Sequence, residues 1–170
     1  MTTINTNYNV YLVGFMGAGK TTIGQSLAHK LGLDFIDLDS RIEENLNLTI
    51  PGIFETYGEK GFRDLETEAL RYSSERKAVI STGGGIVEKE INMGIMKGNG
   101  RIIFLDAPFK VLYERIKMDP NRPLVKGKRE ELEERFLKRR KRYEQANYII
   151  DTDECSPKEV VDEIVFFLNE

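Results

Sequence analysis

Apolar and polar residues follow one another along the chain in short blocks, and these blocks predict strands that alternate with helices. Each short, mainly apolar run is followed by a longer stretch in which apolar residues recur every three or four positions. Buried strands separated by helices are typical of a parallel sheet that is covered on both faces. The pattern therefore predicts an α/β fold, a three-layer sandwich with five parallel strands, at Val10–Val13, Phe35–Leu38, Ala78–Ser81, Ile102–Leu105 and Tyr148–Ile150.

The helices between these strands are predicted from spacing and from signals at their ends. Ile23, Leu27 and Leu31 recur at helical spacing, and Gly32 is placed to end this first helix. A helix over 59–75 is expected to direct one face inward, which comprises Phe62, Leu65, Ala69 and Tyr72. Further helices are predicted around 40–47, after Pro51, after Pro108, over 129–143 and after Ser156, which forms a capping box with Glu159.

The composition predicts one ordinary globular domain over residues 1–170. Hydrophobic residues make up 40% of the chain and charged residues 31%, which argues against a disordered, collagen-like or membrane protein. The formal charge is -3, so there is no overall basic excess that would indicate nucleic acid. The charge is unevenly distributed, because segment 101–142 contains 14 basic and 7 acidic residues. This separation predicts that the protein handles an anion in one place.

The small number of Cys and His residues and the composition of the N-terminal segment limit the possible metal sites and the expected location of the protein. Cys155 and His29 are the single residues of their types, which excludes an intramolecular disulfide and a zinc site built from Cys and His. Residues 1–9 carry no basic region, and the apolar stretch 10–16 is too short for a signal peptide or a membrane span. We therefore expect a cytoplasmic protein without a membrane partner.

Residues 14–21 read Gly-Phe-Met-Gly-Ala-Gly-Lys-Thr, a complete phosphate-binding P-loop between a predicted strand and a predicted helix. Glycines let consecutive backbone N–H groups turn toward phosphate oxygens, and the helix N-terminus adds its dipole. Lys20 can reach the β- and γ-phosphates, Thr21 can bind Mg²⁺, and Thr22 is placed for the α-phosphate. A chance glycine-rich turn is the alternative, and the flanking strand and helix disfavour it. The motif predicts nucleotide binding by Gly17, Ala18, Gly19, Lys20, Thr21 and Thr22.

A pair of acids, Asp37 and Asp39, comes at the end of the second predicted strand. Alternation along a strand would send both carboxylates to one side and Leu38 to the other. Beside a P-loop, such a pair suits one ligand for hydrated Mg²⁺ and one partner for a substrate hydroxyl. The alternative is that either acid only caps the following helix, for which Asp39 is well placed before Ser40. Asp106 is a rival acid for the metal, but we interpret 106–108 as a helix start instead.

A glycine triplet and several arginines complete the candidate site. Gly83–Gly85 follows the third strand and lets a ligand approach the backbone, unless the triplet is only a flexible loop. A guanidinium can hold a carboxylate or a phosphate with two hydrogen bonds, and Arg63, Arg122 and Arg139 are candidates. On a helix, at most two side chains of the basic run 138–142 can face one site. Glutamates on the same helix argue against a nucleic-acid patch.

Six segments, in this order, carry a resemblance to a known family: GFMGAGKTT at 14–22, FIDLDSRIE at 35–43, IFETYGEKGFRDLE at 53–66, ISTGGGIV at 80–87, NRPL at 121–124 and Arg139–Tyr143. Together they resemble the shikimate kinases, small P-loop enzymes of the nucleoside-monophosphate-kinase-like group. The resemblance implies strand order 2-3-1-4-5, a substrate-binding subregion at about 38–66 and a lid at about 117–128. It also implies a cytoplasmic monomer that uses ATP and Mg²⁺ to phosphorylate the 3-hydroxyl of shikimate in aromatic amino acid biosynthesis.

The resemblance further implies a role for each matching residue on the substrate side. Asp37 would hold Mg²⁺ through water, and Asp39 would bind the shikimate hydroxyls and orient or deprotonate the attacking one. Arg63 and Arg139 would grip the substrate carboxylate. The remaining substrate contacts would come from Gly83, Gly84 and Gly85.

On the nucleotide side, the resemblance implies three further contacts. Arg122, in the lid, would reach over the phosphates and, with Lys20, balance charge on the transferring group. Arg115 and Pro157 match the positions that sandwich adenine. Within the basic run, Arg139 is assigned by counting back from Tyr143.

The residues by themselves leave other functions open. A kinase for gluconate or for a nucleotide fits as well, because arginines bind a phosphate as readily as a carboxylate. A nucleotide-binding switch is disfavoured by the acid pair at 37 and 39, which offers a hydroxyl acceptor its own carboxylate. A structural or nucleic-acid-associated protein is disfavoured by the acidic pI near 5.4.

Overall fold

The computed structural model describes residues 6–118 and 129–170, which form a five-stranded sheet flanked by helices. The strands are β1 Asn9–Val13, β2 Asp34–Asp37, β3 Ala78–Ser81, β4 Gly100–Asp106 and β5 Tyr148–Asp151. The helices are α1 Lys20–Leu31, α2 Leu38–Leu46, α3 Ile50–Ser74, α4 Glu90–Asn99, α5 Phe109–Lys117, α6 Arg129–Tyr143 and α7 Pro157–Leu168, with a 3₁₀ turn at Ile86–Glu88. Arg122 and most of the segment interpreted as a lid lie outside the described residues.

The strands of the sheet are parallel and follow the order β2-β3-β1-β4-β5. In the central strand, Tyr11 is paired with Ile80 of β3 on one side and with Ile102 of β4 on the other. All five residues of β1 are buried, as expected for a strand with neighbours on both edges and layers on both faces. The predicted α/β architecture and the strand order implied by the family resemblance are both confirmed.

The second strand ends one residue earlier than the apolar pattern predicts. Asp37 is the last residue of β2 and also the N-cap of α2, because its side chain accepts a hydrogen bond from the N–H of Ser40. Asp39 therefore lies in the first turn of a helix and not on a strand, so the alternation argument for the two acids is wrong. The helix cap that the alternative allowed for either acid is provided by Asp37 and not by Asp39.

The structure contains a helix, α4, that the sequence pattern does not predict. Its sequence, EINMGIMKGN, includes two glycines and two asparagines, which are weak helix formers. The helix nevertheless buries Met93 and Met96 in the core. Packing of these two side chains overrides the local preference of the chain.

Helix α3 contains a bend at Gly58, whose φ of 72° and ψ of 177° are not helical. This agrees with the prediction of a short helix followed by a longer one. Phe62 and Ala69 are buried as predicted, whereas Tyr72 is 58% exposed, so its predicted inward position is wrong. A period of 3.6 residues counted from Phe62 reaches Ser73, which is the buried residue at this turn.

The predicted ends of the first and last helices are confirmed. Gly32 ends α1 in the left-handed region, and its N–H group donates to backbone carbonyls of the last turn. At α7, the Glu159 N–H donates to the Ser156 hydroxyl over 3.2 Å, and the Ser156 N–H donates to the Glu159 carboxylate over 2.6 Å. Within the described residues, no helix is long and apolar enough to cross a membrane.

Candidate active site at the carboxyl ends of the strands

The loop between β1 and α1 depends on close packing and on an unusual backbone conformation. A Cβ atom on Gly14 would lie 2.7 Å from the carbonyl oxygen of Leu105, so a side chain has no room where the loop leaves β1. Gly19 precedes α1 in the left-handed region, with a φ of 90°. The loop therefore leads directly into the N-terminus of a 12-residue helix, where backbone N–H groups and the helix dipole favour an anion.

Lys20 is the first residue of α1, and its ammonium group is held against this loop. The Nζ atom donates to the carbonyl oxygens of Gly14 over 2.6 Å and of Phe15 over 3.1 Å. Ala18 is buried below the loop, whereas Thr22 is exposed on the first turn of α1. The residues of the P-loop that were predicted to bind a nucleotide, 17–22, thus lie in this loop and in the first turn of α1.

Thr21 and Asp37 meet where the P-loop faces the end of β2. The Thr21 hydroxyl donates to Oδ2 of Asp37 over 3.1 Å, and Oδ1 of Asp37 accepts from the N–H of Ser40 over 3.1 Å. The cap of α2 therefore orients the carboxylate toward the loop. A hydroxyl and a carboxylate are hard oxygen ligands of the kind that Mg²⁺ takes beside phosphate oxygens and water. These two side chains fit a Mg²⁺ site.

Asp39 directs its carboxylate toward the glycine turn after β3. Its Oδ1 atom is buried without a hydrogen-bond partner among residues 6–118 and 129–170, and would lie 2.8 Å from a Cβ on Gly83. Burial raises the pKa of Asp39 and repulsion from Asp37 adds to this, whereas the positive charges of Lys20 and Arg63 lower it. A buried carboxylate oxygen without a partner is suited to accept a hydrogen bond from a ligand.

Glu66 belongs to the same site and was missed by the sequence reasoning. The residue is fully buried, and its Oε1 accepts from Nη1 of Arg63 over 3.0 Å. Its Oε2 has no partner within the described part of the chain and would lie 3.1 Å from a Cβ on Gly83. Burial raises the pKa of Glu66 to about 7, against the lowering effect of Arg63. The available signal was its position on the helical face of Phe62 and Ala69, where a charged residue needs a partner.

Arg63 lies beside the third glycine of the triplet. Its side chain is 12% exposed, and its guanidinium lies 5.2 Å from the ring centroid of Phe62. A Cβ atom on Gly85 would overlap this guanidinium, so Arg63 occupies the space that the missing side chain leaves. The Nε atom is buried and has no partner among the residues described.

Arg139 approaches the same turn from α6. It is 8% exposed, its Nε donates to Oε1 of Glu88 over 2.8 Å, and its Nη1 would lie 3.4 Å from a Cβ on Gly84. The hydroxyl of Tyr143 donates to the carbonyl oxygen of Gly84. Burial raises the pKa of Tyr143, although a hydrogen bond from Arg139 acts against this. Tyr143 therefore anchors α6 to the glycine turn beside Arg139.

The glycine triplet brings these groups together because each glycine leaves space for a different one. The buried carboxylate oxygens lie beside Gly83, Arg139 lies beside Gly84, and Arg63 lies beside Gly85. Two guanidinium groups and two buried carboxylates thus surround one turn, and we call this set of groups the substrate cleft, because it suits a small molecule with a carboxylate and hydroxyl groups. The interpretation of the triplet as only a flexible loop does not fit this packing.

The neighbours of Arg139 in the basic run have other partners. Arg140 binds Asp106 over 2.7 Å and Glu144 over 2.9 Å, so it points away from the glycine turn. Arg142 donates to the backbone carbonyl of Val87 over 3.1 Å. This distribution agrees with the expectation that few side chains of one helical run can face a single site.

The helix start predicted at 106–108 is confirmed at Pro108, which is the N-cap of α5, but Asp106 takes no part in it. Asp106 is the last residue of β4, and α5 begins at Phe109 after Pro108, without a side-chain cap from the described residues. The Asp106 carboxylate instead pairs with Arg140. The pairing is a long-range contact, which the local sequence does not reveal.

Of the two residues predicted to sandwich adenine, Arg115 contacts the P-loop in this structure. Nη1 of Arg115 donates to the carbonyl oxygen of Gly17 over 3.1 Å, so this arginine lies over the phosphate loop. Pro157 is exposed at the first position of α7. Arg122 lies outside the described residues, and its predicted contact with the phosphates stays a prediction.

The comparisons with known proteins agree on one family. The family model described as "Shikimate kinase" matches residues 16–169. The shikimate kinase of Persephonella marina is 47% identical over 158 residues, which cover 92% of this chain and 96% of that protein.

Solved structures give the same result. A shikimate kinase from Acinetobacter baumannii in complex with shikimate has a TM-score of 0.90 and 39% identity, covering 98% of this chain and 95% of the other. The shikimate kinase of Aquifex aeolicus has a TM-score of 0.85 and 42% identity, covering 95% of this chain and 96% of the other. With the sheet order, the P-loop and the cleft already described, these matches show that the chain belongs to the shikimate kinase family.

Proposed function

We propose that this chain transfers the γ-phosphoryl group of ATP to the 3-hydroxyl group of shikimate, which yields ADP and shikimate 3-phosphate. The observation that carries this proposal is the glycine turn at 83–85, where the Asp39 carboxylate lies beside Gly83 and the guanidinium groups of Arg139 and Arg63 lie beside the next two glycines. Two guanidinium groups suit the carboxylate of the acceptor, and Asp39 suits one of its hydroxyls. The shikimate bound to the related Acinetobacter baumannii enzyme supports the same acceptor.

The phosphate end of ATP would bind at the loop between β1 and α1. Backbone N–H groups of Gly17, Ala18 and Gly19 would surround the phosphate oxygens at the N-terminus of α1. Lys20 would turn from its present carbonyl contacts to the β- and γ-phosphates, because a phosphate oxygen is a stronger partner for an ammonium than a neutral carbonyl. Thr22 would contact the α-phosphate, and Arg115 and Pro157 would enclose the adenine.

Thr21 and Asp37 would hold Mg²⁺, Thr21 directly and Asp37 through water. When bound, the ion supplies charge neutralisation on the phosphate oxygens during transfer. Asp37 keeps its orientation through the Ser40 N–H, so the carboxylate is already in place before the nucleotide binds.

Asp39 would accept a hydrogen bond from the 3-hydroxyl of shikimate and hold its oxygen in line with the γ-phosphorus. The hydroxyl oxygen forms a new bond to phosphorus, the bond to the β-phosphate oxygen breaks, and the hydroxyl proton moves toward Asp39. Burial raises the pKa of Asp39, which makes its carboxylate a better proton acceptor than an exposed aspartate. Most of the catalysis would come from placement and charge neutralisation.

A coupled assay of ADP release with shikimate, gluconate and AMP as acceptors tests this proposal. We expect turnover with shikimate and none above the ATPase background with the other two. Turnover with gluconate or AMP but not with shikimate would overturn the assignment. Binding of ATP without turnover on any of the three would favour the nucleotide-dependent switch.

The same proposal includes the organisation of the chain. Residues 1–170 would act as one P-loop kinase domain, with a substrate-binding subregion at about 38–66 and a lid at about 117–128 that carries Arg122. The protein would work as a cytoplasmic monomer without a nucleic-acid or membrane partner. The molar mass in solution, measured by light scattering with and without ATP, tests the monomer.

A further inference from the structure

An acidic residue just after the glycine turn lies between two arginines of α6. Oε1 of Glu88 accepts from Nε of Arg139 over 2.8 Å, and its Oε2 accepts from Nη1 of Arg142 over 3.4 Å. Glu88 follows the glycine triplet at the end of the 3₁₀ turn, so this ion pair connects the turn to α6. We propose that Glu88 is a positioning residue, which orients Arg139 for the substrate carboxylate. This inference rests on the function proposed above.

Arg139 binds Glu88 through its Nε atom and not through its terminal nitrogens. A guanidinium can bind a carboxylate through its Nε side or through its two terminal nitrogens. Glu88 occupies Nε of Arg139, so the terminal nitrogens are directed to the side of Gly84 and Tyr143, where Nη1 lies 3.4 Å from the position of a Cβ on Gly84. The ion pair therefore selects the edge of Arg139 that faces the cleft.

Glu88 is itself held in place by Arg142. Nη1 of Arg142 donates to the carbonyl oxygens of Val87 over 3.1 Å and of Glu88 over 3.2 Å, in addition to the Glu88 carboxylate. Arg142 thus binds both the backbone and the side chain of the residue that orients Arg139. A carboxylate fixed from behind can restrict the rotamers of the arginine in front of it, which reduces the entropy that binding must remove.

The negative charge of Glu88 would lower the affinity for shikimate, because it repels the substrate carboxylate. Two substitutions distinguish this repulsion from the orientation of Arg139. Glu88→Ala removes both the hydrogen-bond acceptor and the charge, whereas Glu88→Gln keeps an acceptor for Nε and removes only the charge. If orientation dominates, Glu88→Ala raises the KM for shikimate on the order of tenfold, and Glu88→Gln restores most of the affinity. The KM for ATP stays unchanged in both.

Steady-state kinetics of both variants, with Arg139→Ala and the double variant Glu88→Ala/Arg139→Ala, form the test. Because Glu88 acts through Arg139, we expect its removal to have no further effect on shikimate affinity once Arg139 is absent. Glu144→Ala is the matched control, since it removes an acidic partner of Arg140 in the turn just after α6 and should leave the KM for shikimate unchanged.

The outcomes separate this inference from the proposed function. An unchanged KM in Glu88→Ala, or a lower KM in both Glu88 variants, would overturn the positioning role while an effect of Arg139→Ala left the carboxylate grip in place. An unchanged KM in Arg139→Ala would overturn the grip and the positioning role together. Equal and additive effects of Glu88→Ala with and without Arg139 would show a structural role only and would also overturn the inference.

Discussion

Nη1 of Arg63 donates to Oε1 of Glu66 over 3.0 Å, and this ion pair lies beside the glycine turn at 83–85. The side chain of Glu66 is 1% exposed and that of Arg63 is 12% exposed. Removing one partner from such a pair leaves an uncompensated charge in a poorly solvated place. A change in the charge of either partner should therefore affect both the stability of α3 and the charge that an acidic substrate meets in the cleft.

Glu66→Gln tests the buried titration directly. The pKa of Glu66 is about 7 in the folded protein, above the ordinary value of 4.5, so the folded state retains the proton that the unfolded chain loses. The stability that protonated Glu66 contributes is present at low pH and is lost as the pH rises from about 4.5 to about 7. Between pH 5 and 8, the free energy of unfolding of the wild type should fall by about 2 to 3 kcal/mol relative to the variant.

Urea unfolding of both proteins across this pH range measures the difference. The comparison with Glu66→Gln removes the contribution of the other titrating groups, which both proteins share. Curves of unfolding free energy that run parallel from pH 5 to pH 8 would contradict the prediction.

Asp39→Asn should abolish the reaction while leaving nucleotide binding intact. Asparagine keeps the size of the side chain but can no longer accept the hydroxyl proton, so kcat should fall by about 100-fold or more. Binding of an ATP analogue, followed by calorimetry, should remain within about twofold of the wild type. Asp34→Asn is the control, because Asp34 is exposed on β2 and its carboxylate loss should change neither quantity. Full activity of Asp39→Asn would remove Asp39 as the partner of the acceptor.

Gly85→Ala should damage the substrate site without straining the backbone. Gly85 has a φ of -90° and a ψ of 8°, which alanine can adopt, but the new Cβ would overlap the Arg63 guanidinium. Displacement of Arg63 should raise the KM for shikimate by about tenfold or more, through loss of one charge-assisted contact. Initial rates at varied shikimate and saturating ATP measure this change.

Gly94→Ala is the matched control for that substitution. Gly94 lies within α4, and a Cβ there would meet no atom of the described residues within 4 Å. Alanine is the better helix former, so the control should gain about 0.5 to 1 kcal/mol of stability with unchanged kinetics. An equal rise of the shikimate KM in both variants would refute the steric explanation.

Asp37→Asn should weaken the use of Mg²⁺ without disturbing α2. Asparagine is as good an N-cap as aspartate, so the hydrogen bond to the Ser40 N–H should survive while the negative charge is lost. The Mg²⁺ concentration for half-maximal rate should rise by about tenfold, and the KM for shikimate should stay constant. A Mg²⁺ dependence identical to that of the wild type would contradict the assignment of Asp37 to the metal.

The elements that the sequence predicts well are those with local signals. The strand β1, the P-loop and the end of α1 at Gly32 follow from short apolar runs, glycine positions and helical spacing within about 25 residues of chain. The capping box of α7 is equally local. By contrast, α4 was missed because its glycines and asparagines disfavour a helix, and only the burial of Met93 and Met96 compensates.

Two of the wrong predictions have different causes. Asp106 was assigned to a helix start because its neighbours in sequence are those of a start, but its partner, Arg140, lies 34 residues away. Tyr72 was placed inward by a run of spacings that drifts from the true period by one residue at the third turn. The local pattern does not contain the contact of Asp106, whereas the position of Tyr72 follows from the helical period once it is counted correctly.

The sequence by itself determined the fold class, the strand positions and the identity of the phosphate loop, because periodicity and glycine spacing are properties of neighbouring residues. Only the tertiary structure decided how the glycine triplet is used. It brings Asp39, Glu66 and Arg63 from the segment before the triplet, and Arg139 from the helix far behind it, to three successive glycines. The physical reason is that parallel strands all end at the same edge of the sheet. Groups that are distant in sequence therefore meet at this edge, in one small and poorly solvated volume. Burial at this turn is the main cause that raises the pKa values of Asp39 and Glu66, and nearby charges such as Arg63 act against it.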